Sequence, residues 1–426
     1  MTVQLDGAHA NMRQDFMGRK SMAWATFALT FALYIFDFVD RQVITSMLPA
    51  IKIDWQLSDT QLGMIISVVM VTVALLAIPV SILADRWSRV KCIAAMALLW
   101  CLATIACGYA TSYAQLLTMR GLVGVGEAAY GSVGIALLST LFPAQMRAFL
   151  LSAFNAAALL GSMGGVLIGG YIAKTYGWHS AFGVVGFPGL ILALMYFLVP
   201  DYKTVELQPG VARRSSLKSL AAMMRALLET PSAILIYVCN ALQLFVLAAI
   251  VSWLPSFLNR SYGLATDVAS VRMVMVLIAS SLGTIIFGLV ADRISRHSPG
   301  RKFEALAVSA FLTFVTFAFA FNFMAPGPWQ FRVIVLGGLF MGGTLGTTSA
   351  LTVEVAHPGI RATALAVGAL VQNLLGLAAG PAFTGILSDH LGLPVALGIV
   401  PFFSLLSAVA FLLVRRVFLR DLARTA

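Results

Sequence analysis

Five ionisable side chains stand inside long apolar runs of this 426-residue chain: Asp37, Asp40 and Arg41 in one run, Arg120 and Glu127 in another. Charges in such surroundings are costly and point to function by default. On a helix, positions 37, 40 and 41 are three and four apart and share a face. Positions 120 and 127 are almost two turns apart and share one as well. At about 1.5 Å per residue, Asp40 and Asp37 fall roughly 12 and 16 Å below the outer end of their run. Arg120 and Glu127 fall roughly 8 and 18 Å below the same face. Arg120 is therefore expected level with Asp40 and Arg41, with Asp37 and Glu127 together deeper in. Three acids and two bases give the set one formal negative charge. A carboxylate holds its proton more tightly when desolvated and less tightly beside an arginine. Opening a cavity or admitting a charged substrate changes both effects, so this set suits proton coupling. A static ion-pair network that only fixes helix packing is the alternative.

The elements that carry these charges follow from composition. Hydrophobic residues make up 60% of the chain and charged residues 11%, and the mean hydropathy is +0.92. Soluble proteins carry roughly 25% charged residues, so a soluble globular enzyme is excluded, as is a disordered or fibrous chain. A crossing helix needs about 20 apolar residues. Read with that ruler, the spans are 22–48, 60–84, 90–110, 115–141, 148–173 and 180–199, then 232–258, 269–291, 304–324, 330–355, 362–388 and 394–414. Runs such as Ile65–Leu83 lack the alternating polarity of membrane strands. The fold class is an all-α membrane protein, with twelve transmembrane helices in two pseudo-symmetric six-helix bundles. The bundles cover 1–200 and 232–426, and a polar cytoplasmic linker covers 201–231, with Pro209-Gly210, Arg213-Arg214 and a short amphipathic helix at Ser219–Leu228.

The net charge of +11 resolves into topology. With both termini cytoplasmic, 21 of the 28 basic residues fall on the inner side, as the positive-inside rule expects. The seven others are Arg41, Lys52, Arg120, Lys174, Arg260, Arg272 and Arg332. No nucleic-acid partner is implied. The first 20 residues are polar and include Asp6 and Asp15, so no cleavable signal peptide is expected and the location is the cell (inner) membrane. Cys92, Cys101, Cys107 and Cys239 lie in apolar runs without metal-ligand spacing, which makes them packing residues. No Walker A string or H-E-x-x-H occurs. No metal, cofactor or enzymatic activity is expected.

The halves repeat each other. Ser81-Ile82-Leu83-Ala84-Asp85-Arg86-Trp87-Ser88-Arg89 follows the second span, and Gly288-Leu289-Val290-Ala291-Asp292-Arg293-Ile294-Ser295-Arg296 follows the eighth, 207 positions later. Pro143 and Arg147 before span 5 match Pro358 and Arg361 before span 11. Gly161, Gly164, Gly165, Gly169 and Gly170 follow the first arginine, and Gly376, Gly380 and Gly385 follow the second. Such small residues let helices approach closely.

Twelve spans in two sixes, each with a D-R-x-x-R loop after its second helix, resemble the major facilitator superfamily. That resemblance implies a central cavity opening alternately to each side. It also implies a cytoplasmic gate held by inter-helix ion pairs of Asp85, Arg86, Arg89, Asp292 and Arg293. Ser81 and Ser88 replace glycines usual in the first loop. Asp40-Arg41, the string Arg120-Gly121-Leu122-Val123-Gly124-Val125-Gly126-Glu127-Ala128-Ala129-Tyr130, and Trp253-Leu254-Pro255-Ser256-Phe257-Leu258 resemble the Spinster-like branch, which includes exporters of sphingosine-1-phosphate and lysophospholipids. By that resemblance Asp40 is the leading proton carrier, with Arg41, Arg120 and Glu127 as its partners and the polar part of the substrate site. Asp37 is expected to join the proton coupling and Tyr130 the substrate site. Asp37 stands where the branch often has Asn.

The second half is poor in charge. Asn240, Gln243, Gln372 and Asn373 either line a cavity or hydrogen-bond between helices. Phe245, Trp253 and Phe257 read as lipid-facing or packing residues rather than ligands. Arg272 is expected to snorkel near the outer end of span 8, and Glu354 and His357 to lie at the inner interface. Three readings stay open: a proton-coupled carrier of amphipathic or lipid-like molecules such as a sphingolipid or lysolipid, a proton symporter of a small organic anion, and a membrane sensor that binds without transport. The expected partners are that substrate, protons and the bilayer, with the chain acting as a monomer.

Overall fold

In the computed structural model the described residues are 20–142, 144–201, 231–295, 299–344, 351 and 361–425. All regular structure among them is helical. The first half contains α1 (Lys20–Trp55), α2 (Asp59–Arg86), α3 (Arg89–Cys107), α4 (Tyr113–Glu127), α5 (Tyr130–Leu141), α6 (Arg147–Tyr176) and α7 (Trp178–Tyr196). The second contains α8 (Pro231–Tyr262), α9 (Thr266–Ser295), α10 (Lys302–Phe323), α11 (Pro328–Gly342), α12 (Arg361–Val371), α13 (Ala379–Leu391), α14 (Leu393–Ile399) and α15 (Phe402–Thr425). Local signals start several of them. Ser58 and Gln61 form a reciprocal capping box at α2, and the Ser88 and Ser112 hydroxyls accept backbone N–H bonds at α3 and α4.

Eleven helical stretches among the described residues are long and apolar enough to cross a membrane. The tenth expected span is described over the 15 residues of α11, and its continuation, with Glu354, His357 and Pro358, lies outside the described residues. So do the linker features at 209–228, Pro143, Arg296 and the side chains of Arg147 and Arg361. The helices expose large apolar side chains, among them Leu75, Ile191, Leu289 and Phe319. Only hydrocarbon solvates such a surface, which makes this an integral membrane protein.

Three spans are less regular than their apolar runs predict. Span 4 divides into α4 and α5 at Ala128–Ala129. Span 11 contains a π-helical turn over Gln372–Ala378 between α12 and α13. Span 12 divides into α14 and α15 around Val400-Pro401, where proline removes a helix donor.

The backbone repeats as the loops do. Positive φ occurs at four described residues, and they form two pairs. Gln56 (φ 53°) after α1 matches Gly263 (φ 65°) after α8, 207 positions on, the same separation as Asp85 and Asp292. Gly177 (φ 81°) matches Gly392 (φ 82°), 215 positions on, like Pro143 and Pro358. The turn ending α4 recurs at Gly343–Thr344 after α11.

The halves meet through α2 against α13 and the π turn, α6 against α9, and α1 against α8. The contact is backbone-close at glycines. A Cβ on Gly63 would lie 2.6 Å from the Pro381 carbonyl oxygen, and one on Gly385 would strike the Asp59 carbonyl. The polar cross-half bonds gather where α1 ends and α2 begins. Arg260 at the end of α8 grips Asp59 with both Nη atoms (2.7 and 2.8 Å), and Ser388 donates to the same carboxylate. Asp389 accepts from the Asp59 and Thr60 amides at 2.7 and 2.8 Å. Lys174 pairs with Asp267 at 2.8 Å across the α6–α9 seam.

Candidate functional site

Helices α1 and α4 bring all five charges of the first half together. Arg120 Nη1 lies 3.5 Å from both Asp40 carboxylate oxygens and from the Asp40 carbonyl. Arg41 takes the other two acids, with Nε 3.0 Å from Glu127 Oε2 and Nη2 3.3 Å from Asp37. The depth arithmetic expected Arg120 level with Asp40 and Arg41, and Asp37 with Glu127 deeper; Arg120 lies against Asp40, and Arg41 bridges Asp37 and Glu127. The level of Arg41 alone does not show that it reaches inward to bridge those acids.

Burial separates the members. Asp37, Asp40, Arg120 and Glu127 are each 2% exposed or less, whereas the Arg41 side chain is 17% exposed and lies beside the Phe38 ring. Arg41 is therefore the member in contact with open space. The glycines of α4 bury the rest: a Cβ on Gly124 would meet the Val69 carbonyl, and one on Gly126 the Trp100 backbone, so α4 sits tight on α2 and α3. The turn at Ala128–Ala129 places Glu127 at the C-terminal end of α4, where the helix dipole opposes an anion and increases its dependence on Arg41.

The network is under-bonded. Arg120 Nε and Asp37 Oδ2 have no hydrogen bond of normal geometry, while Asp40 also meets Thr104 and Glu127. A fully satisfied polar cluster is rigid, while a partly satisfied one has competing arrangements close in energy. Removing one partner of a buried pair still costs about 3 kcal/mol or more, because the survivor is left bare. Arg120→Met is accordingly expected to lower stability by about that amount, and Asp40→Leu added to it is expected to recover most of the loss. Thermal unfolding of purified protein checks this; a double variant no more stable than Arg120→Met would show the pair to be uncoupled.

The remaining candidates are more dispersed. Tyr130 is fully buried in the wall behind the charges, donates its hydroxyl to the Thr30 carbonyl at 2.9 Å, and packs against Tyr34 and Trp100. Gln243 is buried and accepts a 3.3 Å bond from Ser404 on α15, with its Nε2 unbonded, while Asn240 is buried one turn before it. Gln372 and Asn373 begin the π turn and are partly exposed. Trp253 bonds the Pro381 carbonyl, and Phe245 stacks on Phe403, so both are packing residues. Arg272 lies against the Tyr262 and Phe331 rings.

At the loop end, Asp85 pairs with Arg89 of its own loop at 2.8 Å and is 60% exposed. Arg89 also reaches the Ala136 carbonyl on α5 at 3.5 Å. Arg86, Asp292 and Arg293 are exposed. Ser88, the departure from glycine, caps α3 and donates to Asp201 at the start of the linker.

The sequence reading did not single out Asp59, Ser388 and Asp389, the polar centre of the opposite end. Two signals were available. Ser58 and Gln61 have the spacing of a helix start, and Lys52, Lys174 and Arg260 are basic residues on the side where basic residues are scarce.

This architecture has known counterparts. Residues 30–379 match the family model described as Major Facilitator Superfamily. The chain belongs to that superfamily. Human protein spinster homolog 1 is 28% identical over 382 residues, covering 84% of this chain and 71% of the relative. The cis,cis-muconate transport protein of Acinetobacter baylyi is 26% identical over 382 residues, covering 88% and 89%. A bacterial homolog of the human lysosomal transporter Spinster, crystallised inward-facing and unoccupied, superposes with a TM-score of 0.82 at 21% identity, over 94% of this chain and 98% of that one. The chain is thus a transporter of the Major Facilitator Superfamily, not an enzyme, and it resembles Spinster proteins in sequence and fold.

Proposed function

We propose that this transporter is a proton-coupled secondary carrier of an amphipathic substrate, working by alternating access with Asp40 as its proton carrier. The observation that carries this reading is the α1–α4 network, three buried acids against two arginines with only Arg41 in contact with open space. A polar head arriving at Arg41 competes with Asp37 and Glu127 for its guanidinium. Each acid released from Arg41 is left buried and bare, and binding a proton removes that cost. Glu127 and Asp37 are the acids that respond first, and Asp40, held by Arg120, is the interior site to which the proton is committed. The uncharged Asn240, Gln243 and Asn373 of the second half suit the rest of such a molecule. Spinster-likeness in sequence and fold favours a sphingolipid or lysolipid.

The location fitting this reading is the inner membrane, with both termini cytoplasmic and the Asp59 end outside. In that orientation the cross-half bonds close the outer face, and the exposed Asp85 and Asp292 loops belong to an open inner face. Asp85, Arg86, Arg89, Asp292 and Arg293 would then form the cytoplasmic gate in the opposite orientation. The chain works as a monomer, since all five charges lie within one copy.

A second reading is favoured by two observations. Arg41, a cation, is the least buried member of the site, and a relative of nearly full length is named a cis,cis-muconate transport protein. A small organic anion bound through its carboxylate to Arg41 fits both. A thermal-shift screen of lysolipids against organic acids separates the readings. Stabilisation by lysolipids is the expected result, and stabilisation by small acids alone would replace the first reading with the second.

A further inference from the structure

The cross-half cluster around α2 combines two kinds of bond that respond differently when the halves part. Asp59 is 3% exposed and accepts from Arg260, from Ser388 and from Lys52, the last of these in its own half at 2.5 Å. Asp389 belongs to the other half and meets the start of α2, including the Thr60 side chain. Its carboxylate caps the amides that begin α2, those of Asp59 and Thr60. The first amides of a helix have no partner within it and carry the positive end of its dipole, so a carboxylate there is well placed. Helix α2 thus receives one cap from Ser58 of its own half and another from across the seam.

We propose that Asp59 and Asp389 form a two-part latch on α2 that holds this end shut and sets the equilibrium between the two orientations of the carrier. Separation breaks the Arg260 pair and uncovers the α2 amides. Asp59 keeps Lys52 in both orientations and is never left without a cation. This retained partner keeps the latch reversible, because one buried carboxylate stripped of every partner would lock the seam. Asp389 acts as a positioning residue, since it holds the start of α2 without touching substrate.

The latch rests on the orientation proposed above, in which this end faces outward, and the experiment separates the two. Ser67 lies in the seam, 4% exposed, with its hydroxyl 2.6 Å from the Ala378 carbonyl. A Ser67→Cys full-length chain is treated with a membrane-impermeant maleimide in intact cells and in inside-out vesicles. The four native cysteines are buried, and the chain without Ser67→Cys gives the background. Adding Asp389→Asn is expected to raise labelling from the outer face about tenfold, the order of effect of one bond to a charged acceptor. Asp389→Glu, which retains a carboxylate, is expected to return the rate toward its starting value. Arg260→Gln reads the same latch from its other part, should Asp389→Asn fold poorly. Unchanged labelling from both faces in Asp389→Asn and Arg260→Gln overturns the latch. A rise confined to the inner face supports the latch and overturns the orientation.

Discussion

Asp40→Asn is expected to reduce uptake driven by an imposed pH gradient to the level of protein-free liposomes, while exchange of labelled for unlabelled substrate continues. Asparagine matches the shape of a protonated aspartic acid and can still bond Arg120 through its carbonyl. The variant should therefore fold and bind, yet be unable to give up a proton. Exchange across the membrane needs no net proton movement, so it survives the change. Driven flux alone reports coupling. Undiminished gradient-driven uptake would remove Asp40 as the carrier, and loss of both activities would assign Asp40 to binding or folding. Asp37→Asn offers a useful contrast, because Glu127 remains on Arg41 when Asp37 is neutral.

The second large effect is expected at a glycine. In Gly63→Leu the first added carbon already falls 2.6 Å from the Pro381 carbonyl oxygen, a backbone atom that cannot rotate away. Overpacked cores cost about 1–3 kcal/mol when side chains can adjust, and here a helix must move instead. Closure of the Asp59 end should fail, and all substrate flux, driven or exchange, should fall at least about tenfold, a barrier rise of 1.4 kcal/mol. Each half keeps its own packing, so expression and thermal unfolding should change little. Normal flux in this variant would mean that the α2–α13 contact does not close during transport.

Much of this was legible in the chain. The five charges of α1 and α4 could be found, and their depths ordered, because a helix converts sequence distance into height at a fixed rate. Their partner assignment was less accessible, since a guanidinium on a long side chain reaches more than one turn and Arg41 bypasses Asp40 to bridge Asp37 and Glu127. The seven basic residues left over from the charge asymmetry turned out to be informative as a class. Arg41 and Arg120 hold the buried acids, Lys52, Lys174 and Arg260 pair with carboxylates at the Asp59 end, and Arg272 and Arg332 lie against aromatic rings. What could not be read was which carboxylate each would meet, because Asp59 and Asp389 are 330 positions apart and only tertiary packing joins them. The π turn was equally hidden, as Gln372–Ala378 reads as an ordinary helical string.

The backbone repeat extends to paired left-handed residues, yet the charges do not share it. Leu247 and Ala248 occupy the positions 207 beyond Asp40 and Arg41. On the proton-coupled reading, the electrical work of the cycle therefore falls on one half. With one proton bound, the five side chains are formally neutral, and with none they carry a single negative charge. On the proton-coupled reading with a substrate of no net charge, the loaded carrier crosses almost unaffected by membrane voltage. The empty return is the step that voltage drives, at about 2.3 kcal/mol per charge for each 100 mV traversed.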